Sequence, residues 1–330
     1  MSKLIMIAVD AMGGDHAPGE IVKGSVEALS QPGIGILLVG DETAIQKELS
    51  QYTYDQERIR IVHAPEVIAT GETPTTAIRQ KKGSSLVVGM NLVKQGEADA
   101  IVSAGNTGAL LAGSTMIIGR IKGIERPALA TLLANEKGYT FLIDAGANVD
   151  AKPSYLVQFA KMGSVYMENV MGVSHPRVGL VNIGAEAEKG NSLVKEAYPL
   201  LEQAGLNFTG NAEARDIPSG VVDVAVCDAF VGNVILKYSE GFAKSLLAMI
   251  KKELMSSPLS KLGGIMAKSA FTNLKKSFDY SEVGGAPFLG LNALVVKAHG
   301  SSDAKAIRNA IKQCKIFHEK DIIAKIQDKL

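Results

Sequence analysis

Residues 4–18 read LIMIAVDAMGGDHAP, and this stretch decides the fold class. Leu4–Val9 is continuously apolar and rich in branched side chains, which is typical of a parallel strand covered by helices on both faces. The run ends in an acid, Asp10, and a glycine pair then leads to Pro18, a residue suited to the first turn of a helix. The stretch therefore predicts a buried strand, a polar turn at its carboxyl end and a helix after the turn.

Short apolar runs alternate with longer helical patterns along the rest of the chain. Strands are predicted at Leu4–Val9, Ile36–Val39, Ile59–Val62, Ala100–Ser103, Thr140–Asp144, Val178–Asn182, Val222–Cys227 and Leu294–Lys297. Helices are predicted at Glu20–Ser30, Thr75–Lys82, Ser85–Gln95, Thr107–Ile118, Pro153–Met171, Ser192–Ala204, Val234–Leu254 and Asp303–Lys329. The alternation predicts an α/β fold with a doubly wound, mostly parallel sheet. The length suits a single domain of two lobes over residues 1–330.

Composition narrows the class of protein. The chain has 330 residues, 46% of them hydrophobic, and a net charge of +1, which argues against a nucleic-acid partner. Cys227 and Cys314 lie in apolar segments and are predicted to be buried thiols, which fits a reducing cytoplasm. The first apolar run is too short for a signal peptide, and no stretch approaches the ~20 apolar residues of a membrane span.

A basic segment interrupts the alternation. Residues 251–276 carry six lysines and a single acid, Glu253, with apolar side chains between them. We predict a protruding helical hairpin over residues 240–280, with Pro258 and Gly263-Gly264 interrupting the helices. Two interpretations stay open: a dimer interface with solvated lysines, which we favour, or an apolar tip that rests on an anionic membrane surface.

Six polar turns follow predicted strands and hold the candidate functional residues, at residues 10–18, 103–109, 144–153, 182–192, 228–233 and 297–303. Ligands bind at the carboxyl ends of strands in open α/β sheets, so we expect these turns to converge on one site. Structural roles compete with functional ones, because Asp15, Asn106 and Thr107 have the residue types of helix N-caps.

Several familiar sites are missing from the sequence. No G-x-G-x-x-G follows the first strand, and Lys189 precedes Gly190, which breaks the P-loop pattern. Zinc-ligand spacing and a G-x-S-x-G elbow are absent as well. The remaining glycine, asparagine, serine, lysine, histidine and aspartate suit the binding of an anion, with no cofactor and no metal.

Several motifs together resemble the PlsX-type phosphate acyltransferases of bacterial phospholipid synthesis. They are residues 9–18 (VDAMGGDHAP), 103–109 (SAGNTGA), 119–128 (GRIKGIERPA), 146–150 (GANVD), 189–191 (KGN), 232–233 (GN) and 297–302 (KAHGSS). The matches run in family order from residue 7 to about 310. Ala185 and Ala229 depart from the family pattern, which often has Thr and Gly there.

The resemblance implies a reaction in which acyl-[acyl carrier protein] and inorganic phosphate give acyl phosphate and free carrier. It also implies a homodimer without metal or cofactor, and a fold similar to phosphate acetyltransferases and the isopropylmalate dehydrogenase class. A glycerol-3-phosphate acyltransferase at the membrane would consume the product. Three alternatives remain: an acyl-CoA donor, an NAD-dependent dehydrogenase of the related fold, and a membrane-associated scaffold.

With this reaction in view, each candidate residue receives an expected role. The expected catalytic residues are Asp10, Asp144, Asn233, Lys297 and His299. The expected substrate-binding residues are Gly13, Gly14, Asp15, His16, Ser103, Asn106, Asn148, Lys189, Asn191, Ser301 and Ser302. The acidic carrier protein is expected to dock on basic side chains, namely Arg79, Lys81, Lys82, Lys251 and Lys252.

Overall fold

The computed structural model describes residues 4–277 and 280–330. Its strands are β1 Ile5–Asp10, β2 Ile34–Gly40, β3 Ile59–His63, β4 Ala100–Ser103, β5 Ala128–Asn135, β6 Gly138–Ile143, β7 Val178–Asn182, β8 Phe208–Glu213, β9 Val224–Val226, β10 Ala286–Leu289 and β11 Leu294–Lys297. Its α-helices are α1 Gly19–Ala28, α2 Glu42–Leu49, α3 Pro74–Gln80, α4 Ser85–Lys94, α5 Thr107–Gly113, α6 Pro153–Asn169, α7 Ser192–Glu202, α8 Ala229–Leu254, α9 Pro258–Met266, α10 Lys268–Ser277, α11 Tyr280–Val283, α12 Ala304–Glu319 and α13 Ile322–Lys329.

The strands form one eleven-stranded sheet in the order β3-β2-β1-β4-β11-β10-β5-β6-β9-β7-β8. Strand β10 is antiparallel to both of its neighbours, and β5 is antiparallel to β6. Every other neighbouring pair is parallel. The sheet therefore has two parallel wings: the first is β3-β2-β1-β4-β11, and the second is β6-β9-β7-β8. The two wings run in opposite directions. This sheet confirms the predicted α/β, mostly parallel class.

All eight predicted strands overlap observed ones, and three observed strands were not predicted. Strand β8 has the polar sequence FTGNAE because it lies at the edge of the sheet, where one side faces solvent. Strand β10 is only four residues long and contains Pro287, which normally argues against a central strand. Strand β5, ALATLLAN, lacks a clean period-2 alternation.

Helices cover both faces of the sheet, as the continuous apolar strands require. One large cluster joins strand side chains to α1, α6, α12 and α13, and within it the Phe141 and Tyr166 rings stack with centroids 4.0 Å apart. A second cluster on the other face joins strand residues to α3, α4 and α5. The last predicted helix is in fact two, because Asp321 adopts a left-handed conformation between α12 and α13.

The predicted arm, residues 240–280, consists in its described part of most of α8 and all of α9 and α10, and residues 278–279 lie outside the described residues. Helix α8 is 26 residues long and begins at Ala229, earlier than predicted, because the Asp228 side chain caps it. Gly263 and Gly264 do not interrupt the arm as expected; they lie inside α9, and the breaks fall at residues 255–257 and at Ala267. None of the helices in the described parts of the chain is long and apolar enough to cross a membrane.

Candidate active site

Three neighbouring strands of the first wing end in buried polar residues. Asp10 ends β1, Ser103 ends the adjacent β4, and Lys297 ends β11 on the other side of β4. The Ser103 hydroxyl donates a 2.7 Å hydrogen bond to Oδ2 of Asp10. Both side chains are buried, so burial raises the pKa of the Asp10 carboxyl, while Ser85, Ser103 and the Met12 amide act in the opposite direction.

Lys297 places an ammonium group beside this pair. Its Nζ donates to the carbonyl oxygen of Ala104 at 3.3 Å and to that of Ala298. Burial lowers the pKa of Lys297 to about 8, against the opposing effect of the Asp10 and Asp15 charges. A lysine with this pKa exchanges protons readily near neutral pH, which makes it a functional-site candidate.

Close backbone packing holds the turns of this wing together. A Cβ on Gly13 would lie 2.4 Å from Oδ2 of Asp10 and 2.7 Å from the amide nitrogen of Gly105, so a larger residue does not fit without movement. Gly14 has a φ of +108° and lies against Ala104 and the Gly300 carbonyl. The Asp15 amide then donates to that carbonyl at 2.8 Å. Predicted substrate-binding turns after β1, β4 and β11 therefore touch one another.

The turn after β11 carries both exposed and buried polar groups. His299 is exposed, and its Nδ1 lies 2.8 Å from the Ser301 hydroxyl oxygen. Ser302 is buried, and its hydroxyl has no hydrogen-bond partner in the described part of the chain. Asp303 caps α12, whose N-terminus adds backbone N–H donors to this wing. Asp15 and His16 are exposed next to it.

A second group of predicted residues surrounds Asp144 at the end of β6. The buried Asp144 carboxylate accepts from the amides of Leu129, Gly146, Ala147 and Asn148 and from the Asn148 side chain, at distances of 2.7–3.2 Å. These donors occupy both oxygens, so the carboxylate shapes the turn. It does not contact lysine or histidine in the described chain, which had been the expected partner.

Asn148 and Asn233 complete this second group. The side-chain nitrogen of Asn148 also donates to the Pro127 carbonyl at 2.8 Å, and the side-chain nitrogen of Asn233 donates to the Ala145 carbonyl at 3.1 Å. Residues 228–233, predicted as a turn, form the first turn of α8. A Cβ on Gly232 would lie 1.9 Å from the Asp144 carbonyl oxygen, which shows how closely this helix packs on the turn.

The side chains of three further predicted residues form no hydrogen bond with either group in the described part of the chain, although Asn106 lies in the turn that follows β4. Asn191 caps α7, and Lys189 is exposed in the loop before it. Asn106 caps α5, and its side-chain nitrogen donates to the carbonyls of Ala69, Thr70 and Glu72 at 3.0–3.2 Å. The Asn106 amide is thus committed to holding residues 69–72 beside the turn that follows β4.

The turns that were expected to converge do not all lie at the same edge of the sheet, because β6 and β11 run in opposite directions. The strand register places Asp144 three strands away from Lys297 across the sheet and two residues away along the strand direction. This offset corresponds to a distance of roughly 15 Å between the two residues. Ala147 nevertheless packs against the apolar cluster that contains Leu110 of α5. The two groups therefore border one face of the central strands from opposite ends.

The predicted docking residues differ in their surroundings. Lys81 forms a 2.8 Å ion pair with Glu72 and also donates to the Val67 carbonyl. Arg79 and Lys82 are exposed near α3, and Lys251 and Lys252 are exposed in the last turn of α8. Ser85, which hydrogen-bonds Asp10 from the start of α4, was not predicted, because nothing local marks a helix-start serine as part of a distant site.

The described residues contain no group of three or more histidine, cysteine, aspartate and glutamate side chains arranged to hold a metal ion. Residues 5–325 match the family described as fatty acid synthesis protein. The chain belongs to this family. It is 54% identical over 326 residues to the phosphate acyltransferase of Clostridium perfringens strain SM101, covering 98% of this chain and 96% of that one.

A phosphate acyltransferase of Clostridium botulinum strain ATCC 19397 is also 54% identical, over 327 residues, covering 99% of this chain and 98% of the relative. As a member of this family the chain is an acyltransferase of lipid synthesis. The recognised motifs therefore identified the right family.

Solved structures confirm the fold at low sequence identity. A phosphotransacetylase from Streptococcus pyogenes superposes with a TM-score of 0.63 at 16% identity, covering 96% of this chain and 95% of that one. The EutD phosphotransacetylase from Staphylococcus aureus gives 0.60 at 15% identity, covering 95% and 94%. A 4-hydroxythreonine-4-phosphate dehydrogenase from Salmonella typhimurium gives 0.51 at 14% identity, covering 96% and 99%. The expected relation to both acyltransferase and dehydrogenase folds is thus confirmed.

Proposed function

We propose that the protein transfers a fatty acyl group from acyl-[acyl carrier protein] to inorganic phosphate, giving acyl phosphate for phospholipid synthesis. The observation that carries this proposal is the buried Lys297 ammonium at the end of β11, beside Asp10 and Ser103. A buried cation among close-packed turns suits an anionic substrate and the negative charge that develops in acyl transfer.

Phosphate would bind between Lys297 and the start of α12. His299, the Ser301 and Ser302 hydroxyls and the N–H groups of the helix supply donors there. The unpartnered Ser302 hydroxyl supports this placement, since buried hydroxyls normally have a partner.

The chemical step is a nucleophilic acyl substitution. A phosphate oxygen attacks the thioester carbonyl carbon, the carbonyl oxygen becomes an oxyanion, and the carbon–sulfur bond then breaks to release the carrier thiolate. Lys297, with a pKa of about 8, can stabilise the oxyanion and give a proton to the thiolate, whose ordinary pKa is about 8.5. Positioning of the two substrates supplies the rest of the acceleration.

The acyl thioester of the donor would approach from the side of the second group, the residues around Asp144. Asn148 and Asn233 border the same sheet face as the phosphate site, and Val149 and Phe230 beside them are exposed apolar side chains. A long acyl thioester can span roughly the 15 Å between the groups. Asp144 acts here as a positioning residue, because its five hydrogen bonds fix the turn that presents Asn148.

Acyl phosphate formation from palmitoyl carrier protein and phosphate, trapped with hydroxylamine and without added metal, tests the proposal. We expect product from the wild type and loss of product in Lys297→Met and His299→Ala, with circular dichroism showing that both variants stay folded. Palmitoyl-CoA in a parallel reaction identifies the preferred donor. Absence of product from folded wild-type protein with both donors would refute the proposal.

The exposed stripe on α8 supports a homodimer. Phe230, Val234, Tyr238 and Phe242 recur every four residues along one side of the helix, and all four are more than half exposed. Apolar stripes of this kind are normally covered. We propose that a second copy covers this one, so Tyr238→Asp combined with Phe242→Asp should convert a dimer to a monomer in sedimentation analysis. A monomeric wild type would contradict this assignment.

The end of the arm supports peripheral contact with the cytoplasmic side of a membrane. Leu259, Ile265 and Met266 of α9 are 70–80% exposed, and Lys261 and Lys268 lie among them. This combination suits an anionic lipid surface. It would release acyl phosphate near a membrane-bound glycerol-3-phosphate acyltransferase. Flotation with anionic vesicles should retain the wild type and lose Leu259→Asp; equal flotation of both would exclude this role for the tip.

A further inference from the structure

The loop at residues 119–126, between the turn that follows α5 and strand β5, is held rigidly although it lies at the surface. Ile121 and Ile124 are buried beneath it, at 2% and 4% exposure. The Gln158 side chain of α6 bonds it twice, accepting from the Glu125 amide and donating to the Gly123 carbonyl, each at 2.9 Å. Gly123 has a φ of +96°, which only glycine adopts easily.

This rigid loop presents basic side chains to solvent. Arg120, Lys122 and Arg126 are exposed, against a single acid, Glu125. Arg120 donates to the Glu125 carbonyl within the loop. In the described parts of the chain, no hydrogen bond or ion pair engages the Lys122 ammonium or the Arg126 guanidinium. The loop therefore presents two unpartnered charges to solvent from a backbone that is held in place.

Contacts on both sides of Arg126 show where this residue lies relative to the site. The preceding residue, Glu125, bonds Gln158 of α6, and the following residue, Pro127, accepts from the Asn148 amide. Arg126 thus lies beside the start of α6, where Lys152 is exposed and no side chain caps the helix. The uncapped helix start adds partial positive charge to the same surface.

We propose that this basic surface, formed by Arg120, Lys122, Arg126 and Lys152, docks the acidic protein that carries the acyl thioester. The inference rests on the proposed function and adds a recognition surface for its donor. A docked carrier would present its thioester next to Asn148 and Asn233, the second group of the site. Complementary charge of this kind speeds encounter and selects partners.

An acidic protein suits this surface better than a lipid bilayer does. Asn233 lies near the start of α8, whose far end at Leu254 is about 32 Å away along the helix axis, and the apolar tip of the arm follows that end. The basic surface also includes the acids Glu125 and Asp150, so its charge is patterned and not uniform. Patterned charge on a rigid support can fix the orientation of a folded partner.

The test compares two donors with the variant Lys122→Glu combined with Arg126→Glu. One donor is the palmitoyl carrier protein, and the other is palmitoyl-pantetheine, an uncharged thioester without the protein. We expect KM for the carrier donor to rise about tenfold at low salt and by less at high salt. KM for phosphate and the kinetics with palmitoyl-pantetheine should stay unchanged. Lys47→Glu combined with Lys94→Glu, which reverses two exposed charges elsewhere, is the matched control.

Three outcomes would overturn this docking surface. The first is an unchanged KM for the carrier donor, and the second is an equal loss with palmitoyl-pantetheine, which would indicate damage to the site. The third is a larger rise in KM for Arg79→Glu combined with Lys82→Glu, which would place the carrier near α3. Failure of the proposed function looks different, because wild-type protein would then make no acyl phosphate from either donor.

Discussion

The lowered pKa of Lys297 predicts a pH profile that can be measured directly. With a pKa of about 8, the ammonium is about 90% protonated at pH 7 and about 10% at pH 9. The charged form is the one that stabilises the oxyanion and protonates the leaving thiolate. We therefore expect kcat/KM to fall about tenfold between pH 7 and pH 9.

The basic side of the profile is the informative one, because phosphate itself titrates on the acidic side. Initial rates of acyl phosphate formation are measured from pH 6 to pH 9.5 with trapping by hydroxylamine after quenching. Lys297→Arg keeps a positive charge over this range, so any activity that it retains should not fall above pH 8. Lys297→Met should be inactive throughout.

The variant Asp10→Asn tests the direction in which the Asp10 charge shifts the pKa of Lys297. The Asp10 charge raises the pKa of Lys297 against the stronger effect of burial. Its removal should lower that pKa and move the fall in activity to lower pH. A wild-type rate that stays constant from pH 7 to pH 9.5, or a fall that persists unchanged in Lys297→Arg, would refute the catalytic assignment of Lys297.

Two further predictions concern the turns. Gly13→Ala should destabilise the fold by about 1–3 kcal/mol in urea unfolding and reduce activity, because the new Cβ would lie 2.4 Å from Oδ2 of Asp10. The control Gly71→Ala has open space around its Cβ and should change neither stability nor activity. Equal stability of the two variants would contradict the close packing at Gly13. Asp144→Asn should lower the free energy of unfolding by about 3 kcal/mol or more, since an amide cannot accept all five hydrogen bonds. The control Asp303→Asn affects a single helix cap and should lower the free energy of unfolding by about 1 kcal/mol or less. A thermal midpoint for Asp144→Asn close to that of Asp303→Asn would argue against a structural role for the buried carboxylate.

Candidate residues near β1, β4 and β11 were predictable because each follows its strand in sequence. The strands that bring them together, 4–9, 100–103 and 294–297, are apolar runs that end in polar turns. Asn106 and Asn191 were expected at a substrate, and the structure shows that both also cap helices. An asparagine at a helix start has the same sequence signature in either role.

The sequence by itself determined the α/β class, the mostly parallel sheet and the family, because hydrophobic periodicity and long motifs are local properties of the chain. Only the tertiary structure decided that β6 runs against β11, which divides the predicted site into two groups. The tertiary structure also decided the pKa of Lys297 and the set of hydrogen bonds that occupies both oxygens of the Asp144 carboxylate. Strand direction, burial and hydrogen-bond partners depend on residues far apart in the chain, so no window of sequence contains them.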